Sequence, residues 1–92
     1  PFSKMARIEI SSFLEEDCKK AAVEIKNFLP IEKNLEFFGP APALIPRVKN
    51  RYFYNIFIKV NKKINLQKLI LDIKTKIRFK KNINFRVDID PN

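Results

Sequence analysis

The stretch RYFYNIFIKV, residues 51–60, decides the fold. Tyr52, Tyr54, Ile56, Ile58 and Val60 fall on one side of an extended chain, and Arg51, Phe53, Asn55, Phe57 and Lys59 on the other. A period of two among aromatic and β-branched residues is the pattern of a strand with one face in a core. Tyr54, deep in the strand, reads as core; Tyr52 stands open between core packing and an exposed role.

Outward from this strand the pattern switches twice in each direction. Toward the N-terminus, residues 39–50 (GPAPALIPRVKN) hold the only glycine and three prolines, and they predict a stiff loop barred from a sheet. Before it, NLEFF (34–38) predicts a short strand stopped by Gly39 and Pro40. Cys18, Ala21, Ala22, Ile25, Phe28 and Leu29 form a helical stripe that Pro30 ends. Ser12 and Glu15 have the spacing of a capping box, and Glu15, Glu16 and Asp17 suit the positive end of a helix dipole. ARIEIS (6–11) alternates again, with Ala6, Ile8 and Ile10 inward. Toward the C-terminus, Leu66, Leu69, Ile70, Ile73 and Ile77 make a second helical stripe, with Lys68, Asp72, Lys74, Lys76 and Arg78 on its wet side. INFRVDID (83–90) then predicts a last strand that buries Ile83, Phe85, Val87 and Ile89.

The order β-α-β-β-α-β is the split βαβ pattern of the ferredoxin-like α+β fold. Right-handed crossovers place both helices on one face of a four-stranded antiparallel sheet in a single domain. The opposite face is expected to be uncovered and to display Arg7, Glu9, Phe38, Phe53, Phe57, Arg86 and Asp88.

Composition narrows the chemistry. With no histidine, one glycine and one cysteine, the chain has no Ser-His-Asp triad, zinc triad, phosphate-binding glycine loop or disulfide of its own. Asp88 and Asp90 share a strand face, but Arg86 beside them points to cross-strand ion pairs rather than to a carboxylate pair. Cys18 reads as a small core residue, and a lone thiol fits a reducing cytoplasm. Ninety-two residues make one domain, and a start at Pro-Phe reads as a piece of something longer. No apolar run is long enough to span a membrane.

Charge is the strongest functional signal. Residues 1–42 hold six Lys/Arg against seven Asp/Glu, a net of −1, whereas residues 43–92 hold thirteen against three, a net of +10. That asymmetry predicts a polyanion-facing side. Arg47, Lys49 and Arg51 lie within five residues behind Pro46, with Tyr52 following, a combination suited to gripping phosphates and stacking on unpaired bases. Five phosphate contacts would give a log–log salt slope of roughly −3.5 to −4.5.

GPAPALIPRVKNRYFYNIFIK (39–59), together with PF (1–2), MARIEI (5–10) and FRVDIDP (85–91), resembles the C-terminal domain of the primosomal replication-restart helicases (the primosomal protein N-prime family). These stretches stand in the right order at the right spacing, and the resemblance runs from Pro1 to Pro91. The resemblance implies a non-catalytic module of an ATP-dependent 3′-to-5′ DNA helicase that acts at abandoned forks in the bacterial cytoplasm, associated with the nucleoid. ATP and zinc would be held only by parts absent from this chain, which needs no cofactor. The implied partners are single-stranded and forked DNA, the parent's helicase lobes, single-strand binding protein and primosome proteins, with no membrane. The positions matching the family's basic loop are Arg47, Lys49, Arg51 and Tyr52. Phe53 stands where relatives often place a basic residue, and Asn50 where a glycine is common, so Lys62, Lys63, Lys80 and Lys81 are further candidate DNA contacts. Phe38, Phe53 and Phe57 are expected to dock onto the helicase lobes. An RNA-recognition platform is disfavoured because its glycine-containing basic-aromatic strand is missing. Two other readings stay open: a ribosomal structural protein of similar fold that binds rRNA, and a purely protein-binding docking domain.

Overall fold

The computed structural model describes residues 2–91; Pro1 and Asn92, and the side chains of Ile45, Pro46 and Pro91, lie outside the described residues. The elements are β1 (Lys4–Ser12), α1 (Glu15–Phe28), β2 (Leu35–Val48), β3 (Arg51–Val60), α2 (Leu66–Lys76) and β4 (Asn84–Pro91). They form a four-stranded sheet of order β2-β3-β1-β4, antiparallel at every pairing. This is the expected ferredoxin-like arrangement.

Period-two alternation on the central strands builds the core. Ile8 and Ile10 of β1 and Ile56, Ile58 and Val60 of β3 are fully buried against Cys18, Ala22 and Ile25 of α1 and Leu66 and Ile73 of α2. Each such isoleucine contributes on the order of 1.5–3 kcal/mol by leaving water. Tyr54 joins this core, and its hydroxyl donates to Glu15 Oε2 at 3.2 Å. At the margin the packing thins. Ile83, Phe85 and Val87 are half-buried and Ile89 is exposed, so β4 buries less than its alternation predicts. An edge strand has a neighbour on one side only and lies at the rim of the helix layer.

One local expectation is corrected. The capping box does not form: Leu14, extended at φ −110° and ψ 120°, is the N-cap of α1 and gives no side-chain bond. Ser12 is buried at the end of β1, where its Oγ accepts from the Leu14 N–H at 3.2 Å. At α2 the cap is regular, Asn65 Oδ1 accepting from the Lys68 N–H at 3.0 Å.

The larger correction concerns residues 39–48. They do not leave the sheet as a loop; β2 continues through them, pairing Ala41 with Asn55, Pro42 with Tyr54, and Arg47 with Tyr52. Register shifts between Phe38 and Ala41 and between Pro42 and Arg47 absorb the prolines. This is possible because β2 is an edge strand, where a missing N–H need not break a ladder. Gly39, at φ 101°, makes the first shift: a Cβ there would stand 2.6 Å from the Asn55 carbonyl oxygen. The connection to β3 is then only two residues, Lys49 and Asn50, at φ 50° and 65°. Positive φ at both central positions is the type I′ hairpin geometry, which asparagine tolerates well.

Candidate nucleic-acid interface

Alternation in the hairpin decides where its cations go. Arg47 pairs with Tyr52, and Val48 with Arg51. Arg47 therefore shares the helix-side face with Tyr52, while Arg51 lies on the open face. The sequence presents three cations as one cluster; the fold sends two of them to opposite sides and leaves Lys49 at the tip.

Their partners differ as well. Arg47 is exposed; its Nη2 donates to Asn50 Oδ1 at 3.0 Å and its guanidinium lies 5.3 Å from the Tyr52 ring centroid. Lys49 is exposed on the turn. Neither forms an ion pair among the described residues. Arg51 is half-buried and folded onto its own domain. Nε and Nη2 donate to Ser11 Oγ, each at 3.2 Å, and Nη2 donates to the Ser11 carbonyl at 3.1 Å. The same guanidinium lies 4.5 Å from the Phe13 centroid. The outward aim expected of Arg51 is thus not found, because Ser11 and Phe13 at the end of β1 stand within its reach. Tyr52 packs against the core and is roofed by Arg47, so its ring is not held out as the stacking surface considered from sequence.

The remaining lysines do not converge on one spot. Lys62 and Lys63 follow β3 at the end opposite the turn, about 30 Å away along ten strand residues. Lys80 and Lys81 precede β4 at the hairpin end, but beyond the other edge of the sheet. Lys80 is taken up by Asp17, 3.2 Å away. Bonds from Asn82 and Lys80 hold the Asp17 carboxyl below its ordinary value. Of the sequence-proposed contacts at the hairpin end, Arg47, Lys49 and Lys81 are thus the ones without an ion pair among the described residues, beside a negative helix start at Glu15 and Glu16.

The open face is as expected in membership. Arg7 pairs with Asp88 in an ion pair that Arg86 approaches to 4.0 Å. Phe38 and Phe57 are exposed and adjacent across β2 and β3, with Lys59 Nζ 5.5 Å from the Phe38 centroid. What sequence reading missed is relief on this face. Because β2 continues past Gly39, Ala41–Leu44 flanks β3 and encloses a hollow of about 450 Å³ with Phe53, Asn55, Phe57, Arg7 and Glu9. Glu9 and Asn55 are opposed in register. The signal was available only jointly, in the alternation of two strands and a turn at 49–50.

Comparison with known proteins bears on this arrangement. The family model described as "Primosomal protein N C-terminal domain" matches residues 1–92. The chain is 34% identical over 91 residues to a replication restart protein PriA of Rickettsia typhi. It is 33% identical over 91 residues to that of Rickettsia conorii, and 30% over 95 residues to that of Borreliella burgdorferi. Each comparison covers 99% of this chain, which spans 14% of the length of these curated relatives. Among solved structures, the de novo designed protein Foldit4 superposes with a TM-score of 0.71 at 16% identity, covering 98% of both chains. A putative glycine cleavage system transcriptional repressor gives 0.61 at 10% identity, over 100% of this chain and 49% of that one. These two likenesses are of fold alone.

Proposed function

The chain belongs to the family of primosomal protein N C-terminal domains, and on that premise we propose that it is the non-catalytic DNA-binding module of a bacterial replication restart protein, gripping unpaired and forked DNA with the tip of its β2–β3 hairpin. The observation that supports this reading is the pair Arg47 and Lys49, Arg47 exposed at the end of β2 and Lys49 exposed on the two-residue turn that follows, with no acid in bridging distance among the described residues. Phosphate contacts dominate such binding, and guanidinium groups engage phosphate through paired donors. Lys81 extends the grip toward β4, while Arg51 braces the hairpin on Ser11 instead of reaching for DNA. The helicase motor, its ATP and its zinc belong to the longer protein. The exposed margin at Phe38 and Leu44 faces that protein's other parts, and the setting is the cytoplasm, with single-strand binding protein and primosome components at hand.

Anisotropy titrations with single-stranded, duplex and forked oligonucleotides test the reading. Arg47→Ala with Lys49→Ala should weaken binding to all three and reduce the log–log salt slope by roughly 0.7 per contact on single strands. Arg51→Ala should leave the slope unchanged. Unaltered affinity in the double variant, with loss in Lys62→Ala/Lys63→Ala, would move the grip to the far end of the sheet and refute the hairpin assignment.

A further inference from the structure

The hollow on the open face has a floor of Phe53 and Phe57 with Asn55 between them, a wall of Ala41–Leu44, and Arg7 and Glu9 opposite. Its volume, about 450 Å³, falls within the roughly 300–1,000 Å³ usual for small-ligand sites. Two side chains along it carry polar groups without partners among the described residues. The Asn55 Oδ1 is buried beneath its surface with no donor among the described residues. Glu9, half-buried directly across from Asn55, forms no ion pair among the described residues, whereas its neighbour Arg7 is engaged by Asp88. A buried acceptor without a donor is costly and rare, and the Glu9 carboxylate beside it stays open to a ligand's donors.

Two acceptors side by side between aromatic rings suit a flat ligand whose edge presents adjacent N–H donors. Among the nucleobases guanine has that edge: N1–H and one N2–H reach a carboxylate together, and the second N2–H is left for another acceptor. Adenine and thymine each present a single donor group there. The terminal torsion of asparagine is broad, so a turn of the Asn55 amide brings Oδ1 into the hollow.

We infer that this hollow is a site for one unpaired guanine, with Glu9 accepting from N1–H and N2–H, Asn55 Oδ1 accepting the second N2–H, and Phe57 and Phe53 supplying the stacking surface. It rests on the DNA-binding reading only for the source of the base. The walled hollow differs from a flat sheet platform in admitting one base rather than a run. Arg7, fixed by Asp88, forms the cationic wall of the site.

NMR titration of the 92-residue chain with GMP, IMP and AMP tests it without reference to the hairpin. GMP should shift the signals of Glu9, Phe57 and the Asn55 side-chain amide. IMP, which lacks the N2 amine, should bind at least about tenfold more weakly, and AMP should leave those signals in place. Glu9→Gln and Asn55→Ala should remove the preference for GMP, while Arg47→Ala/Lys49→Ala should preserve it. Equal shifts with GMP and AMP, or GMP shifts lying outside the hollow, would overturn the assignment. GMP bound in the hollow of a chain that ignores oligonucleotides would retain the site and reject the hairpin reading. Oligonucleotides bound at the hairpin with GMP inert would do the reverse. Should GMP be inert and Phe57→Asp abolish association with the rest of the longer protein, the hollow is a protein-docking surface and the inference falls.

Discussion

At Gly39 the chain makes its passage into the proline segment with φ at 101°, and the space a Cβ would need is filled by the Asn55 carbonyl. Gly39→Ala should therefore cost about 1–3 kcal/mol from backbone conformation alone, seen as a lower urea midpoint at unchanged slope. Cys18 sets a pH limit. Burial pushes its thiol from an ordinary value near 9 up to about 11, and burial, followed by the bond to Glu15, raises Tyr54 as well. Both groups hold their protons more tightly folded than unfolded. Stability from Cys18 is complete below pH 9 and lost as pH climbs through 11, at up to about 1.4 kcal/mol per unit. Urea midpoints across that window should decline less steeply in Cys18→Ala. At this scale the sequence was informative about which residues are buried, since Cys18 and Tyr54 sit on apolar stripes. It was silent on Arg51, whose partners Ser11 and Phe13 are forty and thirty-eight positions away and come near only through β1–β3 pairing.

Among the elements, α1 begins without a side-chain cap. Leu14 already has the extended conformation of an N-cap and is exposed, so Leu14→Ser should raise stability by about 0.5–1 kcal/mol, measurable by thermal melting. At the other side of that helix start, Asp17 ties down the segment before β4 through Lys80 and Asn82. Its depressed pKa means that this stabilisation is present above the ordinary carboxyl value of 3.8 and fades as pH falls below it. Asp17→Asn should flatten the acid limb of a stability–pH curve, and hydrogen exchange should quicken in residues 80–83. Helices and central strands were legible because each has one dominant period. The second strand was not, because prolines signal exclusion from a ladder in general, and only the strand order reveals that this one has an edge to spare.

For the whole molecule, strand direction separates the basic residues that composition lumps together. On the proposed DNA grip, the three candidate contacts Arg47, Lys49 and Lys81 imply a salt slope near −2 on single strands, shallower than the −3.5 that five contacts would give. Titration between 50 and 200 mM salt discriminates the two. Lys62→Ala/Lys63→Ala should alter that slope less than Arg47→Ala/Lys49→Ala. The net charge of +9 was plain from composition, but its division between two ends needed the topology. A last consequence follows from the prolines lodged in β2. An unpaired strand border invites a neighbouring copy to zip alongside, the first step of cross-β aggregation. Pro40 and Pro42 carry no amide hydrogen and the register shifts interrupt the run of the strand, so the segment that shapes the hollow also makes a poor template for a neighbouring copy.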